Sequence, residues 1–101
     1  MSDAEACIRR ISAHRGVKAI YILNDEGKII KSSGEDEDSK TVCSVLHNLV
    51  VHTRGAVRDI QVEDRLKFLR VRTDKHELLI APEQVDGKYT LVVIQDPSKK
   101  H

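Results

Sequence analysis

Aromatic residues are nearly absent from this chain of 101 residues, where only Tyr21, Phe68 and Tyr89 are found. Val, Leu and Ile must therefore fill the interior, and an apolar share of 40% is enough for one thin core. A domain of this size buries a smaller share of its surface than a larger one and is marginal by itself. The sequence predicts a single domain over residues 1–101, ordered over about 3–97 with a frayed tail at 98–101. Sharing a core with a second copy is one remedy for so thin an interior.

The chain also lacks an excess of one charge, a long apolar run and a set of paired cysteines. A net charge of +1 gives no basic face for nucleic acid, so no nucleic-acid partner is expected. No run of about 18 apolar residues is present, and residues 1–5 contain no basic segment followed by an apolar one, which predicts no membrane insertion and a cytosolic location. Cys7 and Cys43 are too few for a disulfide framework and are expected to be reduced.

A short helix and a hairpin are predicted for the first third of the chain. Asp3 is a candidate cap, and Gly16 ends the helix. The apolar positions between them follow helical spacing: Ala4, Cys7, Ile8 and Ile11. Residues 17–23 are apolar at nearly every position, which predicts a central strand covered on both faces. Turn-forming residues at 24–27 then lead into a second strand at 28–33.

The clearest periodic pattern predicts a long second helix with Ser39 as its candidate cap. Its apolar positions are Val42, Val45, Leu46, Leu49, Val50, Thr53, Ala56 and Val57. The apolar arc is broad, with Cys43 and Val50 on its edge beside His47 and Arg54, so we expect a second packing partner on that flank. The acidic residues 35–38 before the helix lack the ligand spacing of a calcium loop and suit a helix N-terminus instead.

Three further strands are predicted at residues 66–72, 76–81 and 89–95. Turn residues at 73–75 separate the first two, and Pro82 with residues 85–88 closes a second hairpin. The many charges of the 66–72 strand suit a sheet edge. The order α-β-β-α-β-β-β predicts an α+β fold built on an antiparallel sheet.

No motif in the sequence predicts catalysis or a bound cofactor. Phosphate-binding glycine loops, nucleophile elbows and zinc-binding helix motifs are absent. His47 and His52 are five residues apart, so they point about 140° away from each other on a helix. Cys43 and His47 are one helical turn apart, and a packing role is expected for both. We therefore predict a non-enzymatic protein with no cofactor and no metal.

The second half of the chain resembles the roadblock family of dynein light chains. Four runs carry the resemblance: Val57-Arg58-Asp59-Ile60, Leu66 with Phe68-Leu69-Arg70-Val71-Arg72, Glu77-Leu78-Leu79-Ile80-Ala81-Pro82, and Leu91-Val92-Val93-Ile94-Gln95-Asp96-Pro97. Looser agreement in the first half, at Gly16-Val17, residues 24–27 and residues 30–32, extends the match over about residues 5–97. The hairpin at 83–88 is longer than is usual in the family, and the acidic loop at 35–38 is particular to this chain.

The resemblance implies a five-stranded antiparallel sheet with the long helix on one face and the short N-terminal helix on the other. It implies that the 66–72 strand pairs with its symmetry mate, so that two sheets continue as one with the long helices side by side. The implied role is that of a non-catalytic light chain that binds dynein intermediate chain as a homodimer and meets other dynein subunits indirectly. The implied location is the cytoplasm and cytoskeleton, on microtubules or in the axoneme of a cilium or flagellum.

Two sets of site residues follow from these expectations. The predicted dimer interface consists of Cys43, His47, Val50, Arg54, Leu66, Phe68, Leu69, Arg70, Val71 and Arg72. The predicted partner-binding residues are Cys7, Ile8 and Ile11.

An alternative function is open within the same fold. Relatives of roadblock light chains act as scaffolds or regulators of Ras-like small GTPases, and fold alone does not separate the two roles. The runs at 57–60 and 68–72 favour the dynein role.

Overall fold

The computed structural model describes residues 6, 9–11, 13, 16–33, 38–83 and 88–97. Ala6 and residues 9–11 are helical and belong to the short N-terminal helix. The remaining elements are β1 (Val17–Leu23), β2 (Ile29–Ser32), the long helix (Ser39–Ile60), β3 (Leu69–Arg72), β4 (Glu77–Pro82) and β5 (Thr90–Gln95). The predicted order of elements is confirmed. The predicted tail at 98–101 lies outside the described residues.

The five strands form one antiparallel sheet in the order β2-β1-β5-β4-β3. β1 and β5 are central neighbours, as expected for strands that are apolar at almost every position. The shorter β2 and β3 lie at the two edges. The prediction that the charged strand forms a sheet edge is therefore confirmed.

Two predicted details are wrong. The third strand begins at Leu69, three residues later than predicted, and its register with β4 starts at the pair Leu69–Ile80. Ser39 is the first residue of the long helix, and Asp38 stands at the cap position without a side-chain cap bond. The Ser39 hydroxyl is buried and shares a hydrogen bond of 3.0 Å with the hydroxyl of Tyr21. It therefore ties the helix to β1, because a buried hydroxyl needs a partner.

The main core lies between the long helix and one face of the sheet. The helix contributes three buried side chains at i, i+3 and i+7, Cys43, Leu46 and Val50. The sheet contributes Tyr21, Leu23, Ile80 and Val92. Full burial of an aliphatic side chain stabilises a fold by about 1.5–3 kcal/mol, so this narrow helical stripe supplies much of the packing energy.

The opposite face of the sheet is also covered at its centre. Ile20, Ile22 and Val93 point away from the long helix, yet they are 0%, 8% and 5% exposed. β1 is thus buried on both faces, as its sequence predicted. This burial agrees with the expected position of the short helix on the second face.

The β1–β2 turn fixes one side of the long helix. The Asn24 side-chain oxygen accepts hydrogen bonds from the backbone N–H groups of Glu26 and Lys28, both at 2.9 Å. Gly27 adopts φ +85°, a conformation that side chains with a Cβ rarely take. A Cβ at this position would lie 2.6 Å from Cγ of His47, so the turn packs directly against the helix.

Candidate interaction surfaces

The two flanks of the long helix have different surroundings. His47 lies against Gly27 in the β1–β2 turn, and Lys40 and Ser44 line a cleft with residues 26–29. This flank therefore faces the β2 side. Because a helix turns by about 100° per residue, Val45 and Leu49 lie about 160° around the helix from His47, on the flank that is turned away from the β1–β2 turn.

The flank that is turned away from the β1–β2 turn carries apolar side chains that are open to solvent. Val45 is 60% exposed and Leu49 is 37% exposed. Phe68, directly before β3, is 58% exposed. We call Val45, Leu49, Phe68 and strand β3 the edge surface. Large apolar side chains that remain exposed are typical of an interaction site when they form one patch.

The helical residues of the predicted dimer interface lie in two places in the single chain, and their role in a dimer stays a prediction. Cys43 and Val50 are 0% and 2% exposed and belong to the core of the single chain. His47 and Arg54, one helical heptad apart, lie on the flank that faces β2. The predicted apolar arc was broad enough to include both flanks, and Val45 and Leu49 on the flank turned away from the β1–β2 turn are exposed.

The strand part of the predicted interface lies along the β3 edge. Leu69 and Val71 are half-buried and face the long helix, and Leu66 packs against the same core. Arg70 and Arg72 are exposed on the opposite face of the sheet, where they pair in register with Leu79 and Glu77. β3 has one strand neighbour, so one side of its backbone is not paired within the described chain.

A polar network crosses three strands on the second face. Glu77 is only 3% exposed, and one of its carboxylate oxygens accepts hydrogen bonds from Nε of Arg70 at 2.9 Å and from Nη2 at 2.6 Å. Gln95 Nε2 donates to the other oxygen at 2.7 Å. A buried carboxylate needs such partners, because burial removes its hydration. Sequence reasoning missed this network, although an acid at the start of an apolar strand was a signal for it.

An apolar strip lies next to this network. Leu79, Ala81 and Leu91 point to the second face and are only half-buried. The strip runs beside the buried Ile22 and Val93. Of the predicted partner-binding residues, Ile11 is half-buried, whereas Cys7 and Ile8 lie outside the described residues.

The described side chains make no arrangement suited to catalysis. Burial raises the pKa of the Cys43 thiol to about 11, so the thiol keeps its proton at neutral pH. Within the described part of the chain, no group of three or more His, Cys, Asp or Glu side chains could hold a metal ion. No helix formed by the described residues is long and apolar enough to span a membrane.

The fold is similar to several solved structures. A Roadblock/LC7 domain from Streptomyces avermitilis superposes with a TM-score of 0.80 at 16% identity, over 98% of this chain and 82% of that one. A gliding protein, MglB from Thermus thermophilus, gives 0.77 at 11% identity, over 95% and 73%. MglB from Myxococcus xanthus gives 0.67 at 21% identity, over 83% and 68%.

The sequence itself matches a family model. The model describes the Roadblock/LC7 domain, and residues 3–95 match it. The matched segment includes the whole sheet and the long helix. The chain therefore belongs to the Roadblock/LC7 domain family.

Proposed function

We propose that this chain is a non-catalytic adaptor that works as a homodimer. The observations that carry the proposal are that β3 is an edge strand of the described sheet and that Val45, Leu49 and Phe68 are exposed apolar side chains. Strand β3 of one copy pairs with β3 of the other around a two-fold axis, and the two sheets continue as one. Each chain then covers the other's Val45, Leu49 and Phe68, which are 60%, 37% and 58% exposed in the single chain.

Physical chemistry favours this arrangement over a monomer. An unpaired edge offers N–H and C=O groups that hydrogen-bond with water or with a second strand. A two-fold interface uses each residue twice, so even a four-residue strand contributes a row of bonds from both copies. The apolar flank of the helix adds area that is removed from water at about 25 cal/mol per Å².

The dimer is testable with two matched helix variants. Val45→Asp places a charge on the edge surface, whereas Val51→Asp places it on the flank facing β2, where Val51 is 50% exposed. We expect the wild-type protein and Val51→Asp to sediment as dimers at tens of micromolar, and Val45→Asp to sediment as a folded monomer. A wild-type monomer, or equal weakening by both substitutions, would refute the edge surface as the dimer interface.

The partner is proposed to bind the second face of the sheet. The half-exposed Leu79, Ala81 and Leu91 form an apolar floor, and the short helix with Cys7, Ile8 and Ile11 is proposed as one wall. An amphipathic helix is the natural occupant, since its apolar face covers such a floor with anchors at helical spacing. The two-fold axis gives two of these grooves per dimer.

Two partner classes fit this role. The ordered runs at 57–60 and 68–72 support dynein intermediate chain, and with it a light chain of a cytoplasmic or axonemal dynein on microtubules. The likeness to MglB structures supports the second role, a scaffold or regulator of a Ras-like small GTPase in the cytoplasm. The fold similarity to these proteins supports the small-GTPase role, whereas the local sequence runs support the dynein role.

Affinity purification from native extract separates the two classes. The tagged dimer is expected to retain dynein intermediate and heavy chains if the first role holds, and a small GTPase if the second holds. Val45→Asp serves as the matched bait, because loss of the dimer halves the number of grooves per particle. Recovery of neither class with the wild-type bait counts against both roles.

A further inference from the structure

We propose that Arg70 and Arg72 form a basic rim that selects an acidic edge on the helix of the partner protein. This inference rests on the proposed groove and specifies the chemistry of its occupant. It starts from a difference in charge between the two faces of the sheet. The described strand residues that pack against the long helix are all uncharged. On the second face the register places Lys31, Arg70 and Arg72 as exposed cations, and Glu77 as a buried acid.

Glu77 offsets the charge of Arg70 through their ion pair, so the net positive charge of the rim comes from Arg72. The Glu77 carboxylate is buried and accepts hydrogen bonds from Arg70 and from Gln95, so its position below the rim is fixed. The Arg70 side chain is 55% exposed despite this contact. Glu77 is therefore a positioning residue that holds the Arg70 guanidinium at the edge of the groove while further N–H groups stay open to solvent.

Arg72 supplies the second charge of the rim. It lies opposite Glu77 in the β3–β4 register, it is exposed, and within the described part of the chain it has no ion pair. Arg70 and Arg72 are two residues apart on a strand, which separates them by roughly 6.6 Å along the strand. Carboxylates one turn apart on a helix are separated by roughly 6 Å. An acidic edge at helical spacing therefore matches the two guanidinium groups.

The neighbouring surface indicates a protein partner rather than a nucleic acid. The arginines adjoin the apolar Leu79 and Ala81, which suit the apolar face of a helix and do not suit a phosphate backbone. The net charge of the whole chain is only +1, without the broad basic surface that nucleic acid needs. Pairing of β3 with its symmetry mate would bring four arginines together, and the anionic edge of the partner would relieve their repulsion.

The test uses two synthetic amphipathic peptides of about 18 residues. Both carry Leu at helical spacing; one has Glu along one edge of the helix, and the other has Gln at the same positions. Binding is measured by titration at low and at high salt, and the arginine side chains are followed by nitrogen-15 NMR. The wild-type protein is expected to bind the Glu peptide roughly fivefold more tightly than the Gln peptide at low salt, and salt is expected to remove the difference.

Arg72→Gln is the main variant, because it leaves the contact between Arg70 and Glu77 in place. It is expected to lose most of the preference for the Glu peptide while it keeps the affinity for the Gln peptide. Arg58→Gln is the matched control, since Arg58 is an exposed arginine in the last turn of the long helix. Circular dichroism checks that both variants are folded.

Three results would overturn the inference: no preference for the Glu peptide in the wild type, a preference that survives in Arg72→Gln, or displacement of the peptide by an oligonucleotide of equal affinity. Both arginines of one rim belong to one chain, so the preference is expected in a monomer as well as in a dimer. A monomeric wild-type protein would therefore refute the proposed homodimer and still allow the rim to be tested.

Discussion

The two faces of the sheet differ in charge and in the exposure of their apolar side chains. The face under the long helix is dry and uncharged, and its side chains pack in a closed cluster around Leu23, Ile80 and Val92. The second face combines buried aliphatic residues with a charged network around Glu77 and an apolar strip that stays half-exposed. The first face provides most of the stability of the fold. The second keeps polar and apolar surface available, as a binding face must.

The largest expected effect comes from placing a charge on the dry face. Val50→Asp buries a carboxylate where Val50 is 2% exposed, and we expect the free energy of unfolding to fall by more than about 4 kcal/mol. Val51→Asp, one residue further along, is expected to change it by less than about 0.5 kcal/mol because this side chain is half-exposed. Urea denaturation of both variants measures the difference. Similar losses would show that the helix does not pack as described.

A smaller loss of stability is expected from a substitution in the β1–β2 turn, which contacts the long helix. Gly27→Ala forces a residue with a Cβ into φ +85° and against the His47 ring, and we expect a loss of about 2 kcal/mol. The same substitution in a His47→Ala background removes the collision but not the backbone strain, so the loss should fall to about 1 kcal/mol. Thermal unfolding of the wild type, the two single variants and the double variant measures the stabilities that this double-mutant cycle compares. An equal loss in both backgrounds would contradict contact between the turn and the helix.

On the second face, loss of the Arg70 side chain is expected to cost more stability than loss of the Glu77 charge. Arg70→Ala leaves the buried Glu77 carboxylate without this cation, which we expect to cost about 1.5 kcal/mol. Glu77→Gln removes the buried charge and leaves a half-exposed arginine that water can solvate, so its cost should be smaller, about 0.5–1 kcal/mol. Urea denaturation ranks the two variants. The reverse ranking would mean that the network stabilises through Arg70 rather than through the carboxylate.

The smallest effect on stability at neutral pH is expected from the ionisation of the Cys43 thiol. Burial raises the pKa of its thiol from 9.0 to about 11, so the unfolded chain loses this proton first as the pH rises. The contribution of the protonated Cys43 thiol to the free energy of unfolding is complete below pH 9 and is lost between pH 9 and pH 11. In a Cys7→Ser background, thiol reagents should react slowly at pH 8, and Cys43→Ala should flatten the alkaline part of the stability curve. Fast labelling of the folded protein would contradict a dry environment.

The elements of the fold could be predicted because each has a local pattern. The residues at 17–23, apolar at nearly every position, predicted a strand buried on both faces, and Ile20 and Leu23 are both 0% exposed. The charged strand predicted an edge, and β3 is an edge. Its start was predicted three residues too early, because residues 66–68 keep the alternation of a strand although β3 begins only at Leu69.

The open flank of the long helix could not be predicted from the sequence. The periodic pattern gives the width of the apolar arc but not the direction of the sheet beneath it. That direction depends on the contact between Gly27 and His47, residues that are 20 positions apart in the sequence. The pattern alone therefore could not show that His47 lies beside the β1–β2 turn, and an interface through His47 and Arg54 stays a prediction. The role of Ser39 was missed for a similar reason, since its partner Tyr21 is on another element.

The unequal edges of the sheet determine how far an assembly can grow. A protein with two open strand edges polymerises, because each added copy presents a fresh edge to the next. Here the edge opposite β3 is the four-residue β2, whose pairing with β1 is interrupted by an extra residue, Ile30, and whose side chains include the exposed Lys31. A bulge and a lysine both discourage further strand addition. Sheet extension through β3 would therefore end at two copies and give a closed particle instead of a filament.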